Sequence, residues 1–203
     1  MRSALITAAL AVAQVEAFWG TSHLLVARRA QDLLQSQDNA AYQAVLAELE
    51  PLKENYPSIT EDEENHPMTE CAVFADNIKG QGYSFQSAWH FKDQPYYPDG
   101  VMSFDEPEYD TVDAMDSLTQ WLSNEGTAYL DSYYYKTIKN YFPDEENARS
   151  FALRLIIHYV GDIHQPLHAT TEVSNQYPTG DAGGNFEHLP NICGASNLHA
   201  VWD

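Results

Sequence analysis

Histidine followed by aspartate four residues later occurs at two places in the chain. His158 and Asp162 form one pair, and His199 and Asp203 form the other at the end of the sequence. Side chains four apart on a helix lie on one face, one turn apart. Imidazole nitrogens and carboxylate oxygens are common ligands of Zn²⁺, which can activate water for hydrolysis. The two pairs, with His168 between them, indicate a metal centre.

The segment around His158 also has a second interpretation. The apolar residues near His158 and Asp162 predict that this helical face points into the core, where an unpaired charge is costly. One buried polar pair, with His168 at the surface, would also meet that requirement. Two more candidates are ambiguous in the same way: alone, His90 suits an aromatic core and Asp76 a solvated helix. The repetition of the pairs favours the metal interpretation.

The N-terminus offers a further ligand. A positive start, an apolar run and a small-residue cleavage site predict a secretory signal peptide over residues 1–17. This run is too short to span a bilayer, and no other segment of the sequence is apolar enough. Cleavage after Ala17 would make Phe18 the first residue. Its free amine and carbonyl oxygen could then bind zinc together with His23.

Charge and cysteine content limit the functional classes. The chain carries 30 acidic and 10 basic residues, for a formal charge of −20. This sign opposes tight non-specific binding of nucleic acid, so a transient encounter at metal ions is easier to reconcile with the composition than a binding module. Cys71 and Cys193 could form a disulfide in a secreted protein, and the sequence leaves open whether they do.

Helical periodicity dominates between the candidate ligands. The apolar stripes predict helices over residues 24–34, 42–51, 69–80, 111–126, 128–141 and 145–163. Two regions rich in Gly, Pro, Asp or Asn, at 89–107 and from 170 onward, are predicted as loops. The 203 residues suit one domain, and a hydrophobic fraction of 44% suffices for a core. The sequence therefore predicts a mainly α, single-domain fold with long loops.

The order of these motifs resembles the S1/P1 nuclease family. The most specific parts are Gly-Asp-Ile-His-Gln-Pro-Leu-His at 161–168 and Asn-Leu-His with Trp-Asp at 197–203, joined by Gly-Gly-Asn at 183–185. The resemblance covers essentially all of residues 18–203. It implies a secreted, mainly α domain with the helical fold shared by zinc phospholipases C and P1 nuclease. Family members continue through further helices, so it also implies that C-terminal helices are missing after Asp203.

The resemblance implies three zinc ions and a role for each candidate residue. The implied ligands are Asp76, His90, His158 and Asp162 for the first ion, His168, His199 and Asp203 for the second, and Phe18, His23 and Asp162 for the third. Asp93 is implied as the catalytic residue beside the attacking water. Asn185 and Asn197 are implied near the scissile phosphate.

The implied activity is that of an S1/P1-type endonuclease. Its substrates would be single-stranded DNA and RNA, cut to 5′-phosphorylated products, with 3′-nucleotides as a further substrate. A zinc phospholipase C is the alternative enzyme, and a secreted protein whose zinc ions only hold the fold is the non-catalytic alternative. Structural zinc sites are typically closed and rich in cysteine, which disfavours the latter. The implied location is extracellular, or a vacuole or lysosome reached by secretion. The sequence leaves the oligomeric partner open.

Overall fold

The computed structural model describes residues 18–100, 103–192 and 194–203, and helices account for most of them. A π-helical segment at Phe18–Ser22 leads into the first α-helix. The α-helices are α1 (His23–Gln37), α2 (Asn39–Asn55), α3 (Pro67–Glu70), α4 (Phe74–Asn77), α5 (Thr111–Ser123), α6 (Tyr133–Tyr141), α7 (Glu145–Asp162) and α8 (Leu198–Trp202). Short 3₁₀ segments lie at Cys71–Val73, Ile78–Gln81, Ser84–His90, Ala128–Asp131 and Pro166–His168. The predicted mainly α, single-domain fold is confirmed.

Helix α7 forms the centre of the core. Its start is stabilised by Asp144, whose carboxylate accepts a hydrogen bond from a backbone N–H of the first turn (3.0 Å). Phe151 and Leu155 are fully buried, and the helix packs against α2 and α5. Truncating such side chains to Ala typically costs about 2–5 kcal/mol. This packing fixes the C-terminal end of α7, where His158 and Asp162 lie.

Helix α2 is longer than the sequence predicts. The prediction ends it at Pro51, whereas the helix continues through that residue to Asn55. Proline disturbs a helix because it lacks an N–H donor. Here the carbonyl of Leu49 accepts hydrogen bonds from Ser150 Oγ (2.9 Å) and Arg154 Nη2 (3.0 Å) of α7. Packing on α7 therefore stabilises a turn that the local sequence disfavours.

The prediction of one continuous helix over residues 69–80 is wrong. The structure divides this segment into α3, α4 and 3₁₀ turns. Side chains from elsewhere bond to its carbonyls: His158 Nδ1 lies 2.6 Å from Ala72 O, and Gln86 Nε2 donates to Ala75 O at 2.7 Å. The backbone is thus shared between local turns and tertiary hydrogen bonds, which a long regular helix would not allow.

The element predicted over residues 128–141 also begins differently. Its first turn is a 3₁₀ segment, Ala128–Asp131, and α6 starts only at Tyr133. The reason is local, because the side chain of Ser132 accepts a hydrogen bond from Tyr135 N and caps the new helix.

Four short strands lie in the segments predicted as loops. Strand β1 (Gln94–Tyr96) pairs in parallel with β2 (Thr170–Glu172), with Gln94 opposite Thr170. Strand β3 (His188–Ile192) pairs antiparallel with β4 (Ala195–Asn197), with an irregular register between the two ends. The loop prediction is therefore wrong at these residues, whereas α8 agrees with the helical spacing of His199 and Asp203.

The pairing of β1 with β2 joins two segments that carry predicted ligands. The N–H of Lys92 donates to the carbonyl of His168 (2.7 Å), and the N–H of Gln94 donates to that of Ala169 (3.2 Å). His168 Nδ1 in turn lies 2.9 Å from the carbonyl oxygen of His90. These bonds hold His90 and His168 side by side.

Two predictions concern residues that the structure does not describe. The expected signal peptide over residues 1–17 lies there, and so does Cys193. Cys71 is a buried free cysteine, and burial raises the pKa of its thiol. Among the described residues, no helix has the length and apolar character needed to cross a membrane.

Candidate metal centre

Asp162, at the end of α7, lies at the centre of the predicted site. Its side chain is 1% exposed. Oδ1 lies 3.2 Å from His23 Nε2 and 3.5 Å from His168 Nδ1. Oδ2 lies 2.9 Å from His90 Nδ1 and 3.4 Å from His158 Nε2. One carboxylate therefore faces four histidines from different parts of the chain.

The first predicted ligand group assembles around Asp162 Oδ2. Ligand atoms of His90, His158 and Asp162 all lie within 4.8 Å of one another, and all three residues are buried. Asp76 completes the group, since its carboxylate oxygens lie 3.8 Å from His90 Nδ1 and 3.7 Å from His158 Nε2. The structure brings together all four residues predicted for the first ion.

Hydrogen bonds set the tautomers of these two histidines. His158 Nδ1 lies 2.6 Å from the carbonyl of Ala72, and His90 Nε2 lies 2.6 Å from Gln86 Oε1. Both partners only accept, so both nitrogens carry the proton when the rings are neutral. The lone pairs are then on His90 Nδ1 and His158 Nε2, which lie 3.2 Å apart. These lone pairs face each other and the oxygens of Asp162, an arrangement that a cation would satisfy.

The second predicted group assembles beside the first. His168, His199 and Asp203 have ligand atoms within 4.8 Å of one another, and all three are buried. His199 Nδ1 lies 2.8 Å from the carbonyl of Gly183, which leaves Nε2 facing Asp203 Oδ2 at 3.4 Å. Gln165 Nε2 donates to Asp203 Oδ1 at 2.7 Å. Such outer hydrogen bonds orient metal ligands.

The structure brings together two members of the third predicted group, His23 and Asp162. His23 lies against Asp162 as predicted, and its ring stacks on His158 with 3.9 Å between centroids. His23 also belongs to a possible group with Asp76 and His158. The backbone of Phe18 begins the π-helical segment that leads to His23. The role of Phe18 as a ligand stays a prediction.

Burial and neighbouring charges favour the ligand forms of these groups. Burial lowers the pKa of His158 to about 3, and burial also lowers that of His168. Burial alone would raise the pKa of Asp162, but the adjacent His158 and His90 hold it well below its usual range. Neutral imidazole and ionised carboxylate are the states that bind metals. Among the described atoms, Asp162 Oδ2 has no hydrogen-bond partner. The donor set therefore fits zinc.

All three groups open onto one cavity of about 380 Å³. Its lining includes ligands from every group, together with Phe91, Asn185 and Lys79. Lys79 is a candidate functional residue that the sequence analysis did not predict. Its Nζ lies 2.7 Å from Asp76 Oδ1, three residues earlier in the chain. A search for cations one helical turn from a predicted ligand would have found it.

Asp93, the predicted catalytic residue, lies next to the site in a special backbone conformation. Its φ of 50° is in the left-handed region, which is uncommon for a residue with a side chain. Burial raises the pKa of its carboxyl, and the carboxylates of Asp181 and Asp110 raise it further. Asp93 is half-buried and is not among the described residues that line the cavity. Its catalytic role stays a prediction.

The two residues predicted to contact phosphate, Asn185 and Asn197, lie in different surroundings. Asn185 lines the cavity, and its Nδ2 donates to the carbonyl of Ala182 at 2.8 Å. Asn197 is the N-cap of α8, where its Oδ1 accepts a hydrogen bond from Ala200 N at 2.7 Å. The structure thus gives Asn197 a capping role beside His199. Contact of either residue with phosphate stays a prediction.

Comparison with known proteins agrees with this geometry. The chain matches the model of the family described as S1/P1 Nuclease over residues 18–203. It is 27% identical over 198 residues to Nuclease S1 of Aspergillus oryzae, a match that covers 97% of this chain and 57% of that protein. It is 28% identical over 195 residues to Endonuclease 1 of Arabidopsis thaliana, covering 95% and 54%.

A shorter match joins the chain to Endonuclease 5 of Arabidopsis thaliana, with 44% identity over 52 residues, 26% of this chain and 15% of that protein. The chain spans just over half the length of Nuclease S1 and of Endonuclease 1. The family model nevertheless covers every described residue that forms the candidate metal centre. The chain therefore belongs to the S1/P1 nuclease family.

Proposed function

We propose that the chain carries the metal centre of a zinc-dependent endonuclease. Its substrates are single-stranded DNA and RNA, its products carry 5′-phosphates, and it also removes phosphate from 3′-nucleotides. Family membership and the names of the relatives support hydrolysis of phosphodiester bonds. The observation that carries the proposal is the position of Asp162, whose two oxygens face different histidines.

The chain provides ligands for three zinc ions. Asp76, His90 and His158 hold the first with Asp162, and the second is held by His168, His199 and Asp203. The third is held by His23 and Asp162 together with the backbone of Phe18, which requires removal of residues 1–17 as a secretory signal peptide. When bound, zinc acts as a Lewis acid and makes hydroxide available near neutral pH. The protein would act outside the cell or in a vacuole or lysosome.

Other side chains of the cavity position the substrate. Lys79 lies at the cavity wall, where its ammonium can neutralise charge on the phosphate. Asn185 offers an amide to a phosphate oxygen. Asp93, next to the site, orients the attacking water and holds its proton. The raised pKa of the Asp93 carboxyl suits a group that receives a proton during the reaction.

An aromatic ring supports the preference for single strands. Phe91 lines the cavity and stacks on His168, with 4.5 Å between ring centroids. A base can stack on such a ring only when it is splayed out of a duplex. The net charge of −20 disfavours tight binding of a whole duplex, and so also favours a short contact centred on the metals.

The test is digestion of single-stranded DNA and RNA by the zinc-loaded protein, with and without a chelator. We expect chelation to stop cleavage, added zinc to restore it, and the new ends to carry 5′-phosphates. Asp162→Asn should abolish cleavage. The matched control is Asp32→Asn, because Asp32 is an exposed carboxylate on α1 that pairs only with Arg28 among its described neighbours.

Three outcomes would contradict the proposal. A folded, zinc-loaded protein that leaves both nucleic acids intact is not a nuclease of this type. Cleavage that survives chelation would remove the metals from the mechanism. Hydrolysis of phospholipid vesicles in place of nucleic acid would identify the chain as a zinc phospholipase C.

A further inference from the structure

A second cavity lies between α5, α6 and the 3₁₀ segment Ala128–Asp131. Its volume is about 350 Å³. Four of the side chains that line it are tyrosines, namely Tyr109, Tyr129, Tyr133 and Tyr134, and three are carboxylates, namely Glu108, Asp113 and Asp116. We call this cavity the tyrosine groove. It shares no described lining residue with the cavity of the metal centre.

The 3₁₀ segment Ser84–His90 contacts both the metal centre and the tyrosine groove. Its last residue, His90, faces Asp162. The residue before it, Trp89, is buried and packs edge-on against Tyr134, with 4.9 Å between ring centroids. Trp89 also lies edge-on to Tyr133 at 6.1 Å. Neighbouring residues of one short segment therefore contact the metal centre and the lining of the groove.

The tyrosine rings of the groove are held in place. Tyr109 stacks on Tyr133 with 3.8 Å between centroids and 15° between ring planes. The hydroxyl of Tyr134 accepts from Asp110 N and donates to Asp110 O, both at 3.1 Å. The hydroxyl of Tyr109 donates to Glu108 Oε1 at 2.9 Å. Rings fixed in this way present a preformed aromatic surface, which a ligand need not order on binding.

The negative charges of the groove are not balanced within it. None of Glu108, Asp113 and Asp116 forms an ion pair with a described residue, and no lysine or arginine is among the described lining residues. The nearby Lys92 and Lys136 are already paired, with Asp110 and Asp131. The groove thus combines an aromatic wall with uncompensated carboxylates.

This combination selects among ligand classes. Phosphate would be repelled by the carboxylates, so the groove does not suit a second stretch of nucleic acid. A single metal ion needs ligand atoms gathered around one point, and among the described residues the groove carboxylates form no such cluster. An organic cation fits both features, because its charge attracts the carboxylates and its body lies against the faces of the rings.

We propose that the tyrosine groove binds a small organic cation, an alkylated or primary ammonium. The tyrosines supply cation–π and apolar contact, and Asp113 and Asp116 supply the opposite charge. Binding at this groove does not depend on the nuclease activity proposed for the metal centre, because the two cavities share no lining residue in the described part of the chain.

The test is a titration of the full chain with four probes, followed by amide chemical shifts in NMR spectra. Choline represents alkylated ammonium and spermidine represents primary ammonium. The uncharged isostere of choline, 3,3-dimethylbutan-1-ol, has the same shape without the charge. Adenosine tests stacking of a neutral base. We expect shifts at α5 and α6 with one or both cations, and binding of the isostere weaker by about tenfold or more.

Two kinds of variant distinguish the contribution of the carboxylates to binding from that of the tyrosine rings. Asp113→Asn with Asp116→Asn, and separately Tyr133→Leu, should each weaken binding of the cation by about fivefold or more. The matched control is Asp105→Asn, because Asp105 is an exposed carboxylate that is not in the lining of the groove. Thermal unfolding of each variant shows whether it is folded, and the Asp113 and Asp116 substitutions should leave zinc content unchanged.

Several outcomes would overturn the proposal. One is equal binding of choline and its isostere, which would make the groove merely apolar. Another is adenosine binding more tightly than either cation. A third is the absence of cation-dependent shifts at α5 and α6 in the folded protein. Shifts that persist unchanged in the double Asn variant would also contradict it.

Discussion

Gly161 of α7 and His23 of α1 approach so closely that no side chain fits between them. A Cβ on Gly161 would contact His23 Nδ1 and lie 2.7 Å from Cε1 of the same ring. The His23 ring stacks on His158, and its Nε2 lies 3.2 Å from Asp162 Oδ1. The missing side chain of Gly161 therefore allows α1 to bring His23 into the metal centre.

Replacing this glycine should disturb the site. We expect Gly161→Ala to destabilise the metal-free protein by about 1–3 kcal/mol, because the His23 ring must move. The gain in helix propensity, about 1 kcal/mol, offsets part of that cost. The control is Gly80→Ala, since a Cβ there meets nothing within 4 Å. Urea unfolding and zinc titration measure both effects, and equal behaviour of the two variants would refute the contact.

Gln86 should control zinc affinity without touching the metal. Its Oε1 accepts from His90 Nε2 at 2.6 Å and from the hydroxyl of Tyr159 at 3.0 Å, and its Nε2 donates to Ala75 O. Gln86→Leu leaves His90 without the bond that orients its ring. Loss of such an outer partner typically weakens metal binding about 10–100-fold.

A competition titration against a zinc chelator measures the effect at Gln86. Gln81→Leu is the control, because Gln81 is exposed and bonds only to the carbonyl of Asn77 among its described neighbours. An unchanged zinc affinity in folded Gln86→Leu would show that the His90 tautomer is set by another group.

Lys79 should act on turnover more than on metal content. We expect Lys79→Ala to lower kcat/KM for single-stranded DNA by about tenfold or more, because the phosphate loses its cationic neighbour at the cavity wall. Lys79→Arg keeps the charge and should retain most of the activity. Lys53→Ala serves as control, because Lys53 lies in the last turn of α2 and is not in the cavity lining. Steady-state kinetics measure kcat/KM, and zinc analysis measures the metal content of each variant. Wild-type rates in folded Lys79→Ala would exclude a role of Lys79 in turnover.

The buried pair of Arg154 and Glu63 should matter for stability. The guanidinium donates to both carboxylate oxygens, at 2.7 and 2.6 Å, and neither side chain is more than 2% exposed. Arg154→Met leaves a buried carboxylate unpaired, which typically costs about 3–5 kcal/mol. The double variant with Glu63→Met should recover most of this loss.

An exposed pair offers the comparison for Arg154. Arg28 and Asp32 form an ion pair on α1 with both side chains nearly half exposed. Arg28→Met should cost less than about 1 kcal/mol, because solvent screens such pairs. Chemical denaturation of the three variants gives the values. A cost for Arg154→Met as small as that of Arg28→Met would mean that the buried pair contributes nothing.

Much of the metal centre could be predicted because its ligands recur at helical spacing. His158 and Asp162 lie one turn apart on α7, as their spacing in the sequence indicated. The family resemblance then related residues far apart in sequence, such as Asp76 and His90. Periodicity of apolar residues was enough for the long helices, because their burial follows from the same pattern.

The parts that could not be predicted depend on tertiary hydrogen bonds. The segment after residue 69 breaks into short turns because Gln86 and His158 compete for its carbonyls. The continuation of α2 through Pro51 depends on Ser150 and Arg154 of another helix. Such partners are distant in sequence, and single-residue propensities carry no information about them.

The central role of Asp162 is tested most directly by the zinc content of the purified, folded protein, measured by elemental analysis for the wild type and for Asp162→Asn. We expect the wild type to hold zinc in each of the three proposed ligand groups. Asp162→Asn should lose more than one ion, because both oxygens of Asp162 face ligand histidines, whereas Asp32→Asn should keep them all. A folded wild type without zinc, or an Asp162→Asn variant with the full complement, would contradict the central role of Asp162.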